Sequence, residues 1–593
     1  MFAGRRRVAR WAISLLAATC GGAAPTFNRD IAPIIFHNCS TCHQPGQPGP
    51  FSLLNYQDVQ KHARQIARAT RSRYMPPWLP AAGFGEFQDE RRLTRAEIAT
   101  ISAWVAAGEP EGDGTPPVPQ ILSGGWQLGK PALVVQADSP LRVPAEGADV
   151  FWNFTFRPPL TATRYVRAVE IRPNGPAGSV HHANLLIDRT HSSERMEVKP
   201  GAGFPGMEIP LTRNALDAPS HFLFWKPGSA PYCEPVGMAW QLNPGNVLVL
   251  NTHVQPSGKP EEIRPEIALY FTAQKPTRFP LLIELENDNA LEIPSGARDF
   301  PVADDFQLPM DLDVLAIYPH AHYLGKRLEA YATLPGGRRV WLIRIPDWNF
   351  DWQAVYRYRA PVFLPEGSVI SMRFHYDNSA ANARNPNRPP KRVEAGNRAA
   401  DEMAHLWLQV LPRGGGEHVR GDRRRELEEA LVRHRLEKAP GDPTAHLNLG
   451  ALLLSRLKTQ EGIDELQTAI RLDAHSAEAH DMLGSALRSV GRLQDAIQEF
   501  RLALAIDPHG LNARYNLATA LARSGRLEEA SSYFRQVIEA FPNEARLRNE
   551  WGEILASSGD LPGALVQFEK ALALEPNNHD ALKNRDWARA RLR

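Results

Sequence analysis

Cysteine is scarce, with four in 593 residues. Once an N-terminal leader carrying Cys20 is set aside, Cys39, Cys42 and Cys233 remain, too few for stability to rest on a disulfide framework. Cys233, between Pro231-Tyr232 and Glu234-Pro235, reads as a free structural thiol. Charge of one sign is also lacking: 68 Lys and Arg face 66 Asp and Glu, so no long-range field draws the chain to nucleic acid or an anionic membrane. Long hydrophobic runs are absent too. The run Trp11 to Ala18 is far short of the roughly 20 residues that span a bilayer. It follows Arg5, Arg6, Arg7 and Arg10 and precedes Ala23-Ala24, the order of a secretory signal peptide over residues 1–24. Ala17-Ala18-Thr19 before Cys20 is a poor lipobox. The expectation is an exported protein, periplasmic or in the cell envelope, with no stable membrane span.

What is plentiful is proline and glycine, 50 and 43 residues, and they punctuate the chain. A length of this order accommodates several domains at roughly 100 to 200 residues each. The stretch Glu109 to Pro119, with four prolines and two glycines, sustains neither helix nor strand and predicts a linker over 113–125. Before it, Thr94 caps a helix to Ala107 with Ile98, Ile101 and Val105 on one face, so residues 25–112 form a small helical unit. From 126 to 412 short apolar runs (Ala132–Val135, Val247–Leu250, Ile267–Phe271, Val314–Ile317, Val369–Phe374) alternate with Pro and Gly turns, the pattern of β-sandwiches. The span suits two, 126–275 and 276–412, divided near Lys275. A charged helical connector is expected over 413–442.

Beyond it a period of 34 residues appears in three columns: Gly450, Gly484, Ala518 and Gly552; Gly491, Gly525 and Gly559; Pro508, Pro542 and Pro576. With alanines at 496, 530 and 564, the segment resembles tetratricopeptide repeats, four over 443–576 and a capping helix over 577–593, an α-solenoid. The resemblance implies a concave surface for a protein partner; an inert spacer or dimer contact is the alternative.

Cys39-Ser-Thr-Cys42-His43 is the C-x-x-C-H pattern, in which two thiols form thioethers to haem and the adjoining imidazole reaches the iron. No second C-x-x-C completes a zinc site. Met75, in Tyr74-Met-Pro-Pro-Trp78, is the one methionine between His43 and the linker and is the expected sixth ligand; packing is its other reading. Residues 25–112 resemble cytochrome c domains fused to exported enzymes, which implies an electron carrier.

In the strand-rich region histidines cluster as His181-His182, His253, and His320-Ala-His322-Tyr-Leu-Gly-Lys326. Alternation along a strand points His320 and His322 the same way, whereas adjacent His181 and His182 need a bulge or strand end to reach one ion. Imidazole does not choose among copper, zinc, iron and nickel, but a thioether favours Cu(I). Met403, in Asp401-Glu-Met403, is the candidate, with Met372 as the alternative.

In this order, H-H, H, H-x-H-x-x-G-K and D-E-M, residues 126–412 resemble the copper type II, ascorbate-dependent monooxygenases of the peptidylglycine/dopamine hydroxylase kind. The resemblance implies two jellyroll sandwiches and two copper ions: an electron-transfer copper at His181, His182 and His253, and an oxygen-activating copper at His320, His322 and Met403, where a substrate carbon-hydrogen bond is hydroxylated with O2. The turns Trp225-Lys-Pro-Gly228 and Leu242-Asn-Pro-Gly245 fit that family. Tyr318 stands where peptide-amidating members carry an arginine for the substrate carboxylate, and His405 and Trp407 follow the methionine, so peptidylglycine is a poor substrate guess. His375, His405, His191 and His221 match no ligand position and are expected to be structural or surface groups. The domain order implies electrons entering through the haem, from a redox donor protein or a reductant such as ascorbate. The competing reading is a non-catalytic electron-transfer or copper-binding protein whose repeats recruit a partner. Zinc-dependent hydrolysis lacks a glutamate beside the histidines.

Overall fold

The computed structural model describes residues 24–593 except 46, 48, 122–124, 148, 176–178, 190–191, 207–220, 399 and 414–419. Residues 1–23 of the expected leader, Cys20 within them, and His191 lie outside the described residues. Two compact units are present. One comprises the described residues up to Leu79 with Phe87–Arg278; the other comprises Pro80–Glu86 with Phe279–Arg593.

In the first unit, helices Ala32–Asn38, Tyr56–Arg71 and Arg95–Ala106 enclose a core that includes Phe27, Ile35, Val59, Ile101 and Trp104. Thr94 caps the third helix in a reciprocal capping box with Glu97, which satisfies two helix-end donors at once. Beyond them the unit is mainly antiparallel sheet, with a short helix Ser192–Met196 and a two-stranded ribbon of Leu141–Val143 and Glu261–Ile263. One sheet runs in the order Leu133–Gln136, Glu266–Thr272, Arg164–Arg172, Tyr232–Cys233, with Trp240–Leu242 also on Arg164–Arg172; the other runs Phe204–Pro205, Val150–Phe156, Val247–Val254, Val180–Asp188, Phe224–Trp225. Inward side chains of both, among them Phe154, Leu185, Leu248, Ile171 and Leu269, form one buried core, the packing of a sandwich.

The second unit repeats the scheme with sheets ordered Leu281–Glu286, His405–Pro412, Leu312–His320, Tyr356–Leu364 and Phe300–Gln307, Val369–Tyr376, Gly325–Thr333, Arg339–Ile345. The first sandwich's unit therefore runs to Arg278, three residues past the division read near Lys275. Residues 80–86, expected inside the helical unit, belong here instead. Ala81 N–H donates to the Arg344 carbonyl at 2.8 Å and Arg359 N–H to the Glu86 carbonyl at 2.9 Å, and the Phe84 ring meets Trp341 edge-on.

The connector is a helix, Arg420–Lys438, and it is docked. Buried Asp304 of the sandwich meets His434 Nε2 at 2.8 Å and Lys438 Nζ at 2.6 Å, while Val432 and Leu436 pack on Ala445, Leu449 and Leu453 of the first repeat helix. Burial works to raise the Asp304 carboxyl, but the hydrogen bonds from His434 and Lys438 outweigh it and hold it below the usual carboxylate range. A depressed folded value means that this stabilisation is complete above the unfolded pKa of about 3.9 and is lost as pH falls through the folded value. Asp304→Asn is accordingly expected to raise amide exchange over 423–438 at neutral pH, whereas the native chain should show that loosening only below about pH 4.

Four helix pairs follow: Pro443–Ser455 with Thr459–Leu472, Ala477–Ser489 with Leu493–Ile506, Leu511–Arg523 with Leu527–Ala540, and Ala545–Ser557 with Leu561–Leu574, capped by His579–Leu592. The recurring small residue has a steric cause. A Cβ on Gly484 or Gly552 would come within 2.7 or 2.4 Å of the Phe500 or Phe568 ring, so the paired helices touch there.

Candidate metal centres

The first cluster lies on two neighbouring strands, Val180–Asp188 and Val247–Val254. The register shifts between His253 and Val254: His253 opposes His182, and Val254 opposes Val180. His181 is thus the extra residue of a β-bulge, which turns its side chain toward the same side as its neighbour's. Ring centroids of His181 and His182 each stand 5.1 Å from that of His253. His181 Nε2 lies 2.8 Å from Gln255 Oε1, and His253 Nε2 lies 2.8 Å from Asp149 Oδ2. Gln255 Oε1 and Asp149 Oδ2 are acceptors, so each facing Nε2 is placed to donate. The hydrogen bond from His253 outweighs burial and holds the Asp149 carboxyl below its usual range.

The second cluster lies at one end of the other sandwich. His320 ends strand Leu312–His320, but His322 lies past it, so strand alternation is not what aligns the pair. Glu402 does that work. Its buried carboxylate accepts N–H groups from His322 at 2.7 Å, Leu324 at 2.6 Å and Met403 at 3.2 Å, tying the histidine loop to the methionine. Burial pushes Glu402 up to about 8 against hydrogen bonds from the His322, Leu324, Met403 and Gly325 N–H groups. The His320 and His322 rings stand 5.3 Å apart, nearly perpendicular. His320 Nδ1 faces Gln353 Oε1 at 2.8 Å and the Tyr318 hydroxyl at 3.4 Å, and His322 Nδ1 faces the Asp401 carbonyl at 2.9 Å. Burial pulls His322 below the ordinary imidazole value, overcoming the Asp401 carbonyl, and so favours the neutral, ligating form.

Met403 is half-buried on the loop before strand His405–Pro412, and its carbonyl accepts the Tyr376 hydroxyl at 2.6 Å. Met372 is fully buried in the middle of strand Val369–Tyr376, paired with Asp304 on one side and Ala330 on the other; it is a core residue. Around the two histidines stand aromatic rings. Trp407 stacks on Tyr318, and Phe350 meets His320, His322 and Tyr323. Burial raises the Tyr318 phenol, whose hydroxyl donates to Gln353 at 2.6 Å.

At the C-x-x-C-H segment, Cys42 and His43 N–H groups both return to the Cys39 carbonyl, at 3.2 and 3.0 Å, so the three residues share one turn. Cys39 and Cys42 are free thiols, and burial pushes Cys39 up to about 12. His43 Nδ1 faces the Phe51 carbonyl at 3.1 Å, so Nε2 is the nitrogen that would reach a haem iron. A Cβ on Gly49 would come within 2.6 Å of the Cys42 carbonyl and 2.8 Å of His43, a close approach that keeps this side of the motif tight. Met75 is half-buried just beyond helix Tyr56–Arg71, its N–H on the Ala69 carbonyl at 3.2 Å. These groups fit a covalent haem at Cys39, Cys42 and His43, and the two histidine clusters fit copper.

Three of the histidines that match no ligand position are held by carboxylates: His375 by Asp299, His221 by Glu234, and His405 by Asp288 at 2.9 Å and Glu284 at 3.4 Å. Glu284, Glu286 and His405 converge across two paired strands. Sequence reasoning passed over the groups that orient the ligands, Asp149, Gln255, Gln353 and Glu402. Only Glu402 had a local signal, its place in the D-E-M triplet.

No curated protein matches the chain. Two models described as tetratricopeptide repeat match residues 447–510 and 487–549. Among solved structures, YrrB, described as a TPR protein with an unusual peptide-binding site, is 24% identical, with 28% of this chain and 87% of that one covered and a TM-score of 0.27. MamA is 24% identical, covering 28% and 96%, with a TM-score of 0.25. MamA 41-end from Desulfovibrio magneticus RS-1 is 21% identical, covering 26% and 90%, also at 0.25. No helix among the described residues is long and apolar enough to cross a membrane. The C-terminal part of the chain, over residues 447–549, carries tetratricopeptide repeats.

Proposed function

We propose that the chain is an exported, copper-dependent monooxygenase of the peptidylglycine/dopamine hydroxylase type. Its two sandwiches are jellyrolls, an N-terminal cytochrome c domain supplies electrons, and the repeats recruit a protein partner. The observation that carries this reading is the convergence of the histidines within each cluster. The rings of His181 and His182 each stand 5.1 Å from that of His253, and those of His320 and His322 stand 5.3 Å apart on the loop that Glu402 ties to Met403. Imidazoles gathered beside a thioether form a donor set that suits copper.

Copper at these sites supplies electron storage at the three-histidine cluster and oxygen reduction at the His-His-Met cluster. The chain's own residues do the rest. Glu402 holds His322 and Met403 in one frame, burial keeps His322 neutral, and Tyr318, Phe350 and Trp407 present an aromatic wall, with Tyr318 where peptide-amidating members carry an arginine. Peptidylglycine is therefore a poor substrate, and ascorbate or a redox protein is the ultimate donor.

X-ray absorption of the Cu(I)-loaded protein tests the ligand set. A copper–sulfur scattering path is expected in the native chain, lost in Met403→Ala and retained in the volume-conserving Met372→Leu. Its absence from the native protein, or its loss in Met372→Leu alone, would overturn the assignment.

A further inference from the structure

Within the first unit, Arg91 joins the C-x-x-C-H segment to the histidine sheet. Its Nη1 lies 3.6 Å from Cys42 Sγ and 3.3 Å from the Gly228 carbonyl. Gly228 belongs to the turn Lys226–Ser229, closed by the Lys226 N–H donating to Ser229 Oγ at 3.0 Å. Lys226, Pro227 and Gly228 of this turn are half-buried, and burial with Arg91 beside it pulls the Lys226 ammonium down to about 8. The turn continues strand Phe224–Trp225, which pairs with the histidine strand through Trp225 on Ala183 and Phe224 on Asn184. The Phe224 ring stacks on His182, with centroids 5.7 Å apart and planes 28° apart. Five consecutive residues, Phe224 to Gly228, with Arg91 at one end, therefore connect Cys42 to His182.

We infer that this run is an electron port, Arg91 and Phe224–Gly228 linking a haem at Cys39, Cys42 and His43 to the copper site at His181, His182 and His253. The inference rests on the function proposed above and deepens it by naming the route. One electron crosses at a time: the haem iron goes from ferrous to ferric as one cupric ion becomes cuprous, with no bond broken and no proton required. The haem is then reduced again by a one-electron donor, ascorbate or a reduced carrier protein. Arg91 would hold the Cys42 end of a covalent haem against the turn, and Phe224 supplies the contact with the His182 ring. Both are positioning residues.

The test uses the full chain loaded with haem and copper, both counted before the measurement. The haem is reduced without oxygen by a light-triggered one-electron reductant, and its re-oxidation is followed by visible absorption. The expected result is a re-oxidation phase whose rate does not depend on protein concentration. It is lost in His253→Ala and slowed by an order of magnitude or more in Phe224→Leu and Arg91→Leu, with haem and copper content unchanged in the latter two. Native rates in both of those variants, a rate that rises with protein concentration, or no such phase in a chain holding haem and both coppers would overturn the port alone. A chain that binds no copper would overturn the port and the proposed function together.

Discussion

Replacing Glu402 by leucine is expected to remove one copper per chain and leave the other in place. The carboxyl group is fully buried and accepts backbone N–H groups, among them those of His322, Leu324 and Met403. A leucine of similar size accepts none. Each orphaned buried donor costs about 1–3 kcal/mol, so the closed arrangement of the two loops loses about 3 kcal/mol or more, and they separate to find water. His322 and Met403 then no longer share a frame, although neither has been changed. Glu402→Gln keeps one acceptor oxygen but turns an amide NH2 toward the remaining donors, and it should fall between. Copper counting on the folded variants, with circular dichroism to confirm the sandwich, checks both. A leucine variant that keeps both coppers at native affinity would show that the carboxylate is packing alone.

The counterpart at the first cluster is Asp149. Its carboxylate receives the His253 Nε2 proton and lies in the strand-edge segment before Val150–Phe156, whose Phe151 ring stacks on His253 at 4.4 Å. Removing the acceptor frees His253 to change tautomer or rotate, and loss of such an outer partner typically costs 10- to 100-fold in metal affinity. Asp149→Ala is expected to weaken the first copper by about that factor without moving the second, as read by competition with a Cu(II) chelator. Equal weakening at both sites would mean a general loss of fold.

The local parts of this architecture were legible in the sequence and the nonlocal parts were not. The repeats were, because each helix pair depends on contacts within one 34-residue period. The bulge at His181 was also legible: two adjacent histidines on a strand demand it. His322 was read correctly as the neighbour of His320 but for an insufficient reason. The strand stops at His320, and the pairing depends on Glu402, eighty residues further along the chain. The placement of residues 80–86 depends on hydrogen bonds to Arg344 and Arg359, partners that no periodicity near residue 80 reveals. The docking of the connector depends likewise on Asp304, whose partners His434 and Lys438 lie 130 and 134 residues further along the chain. Asp149, Gln255 and Gln353 carry no motif at all, since a ligand's outer partner is fixed by where the chain brings it.

The central claim is two copper sites of different character on one haem-bearing chain. The most direct measurement is haem and copper per chain in purified protein reconstituted with Cu(II), beside His181→Ala and Met403→Ala. The account predicts one haem and two coppers in the native chain, with one copper lost or weakened in each variant. One haem and no copper would contradict it and leave an electron carrier joined to a repeat scaffold.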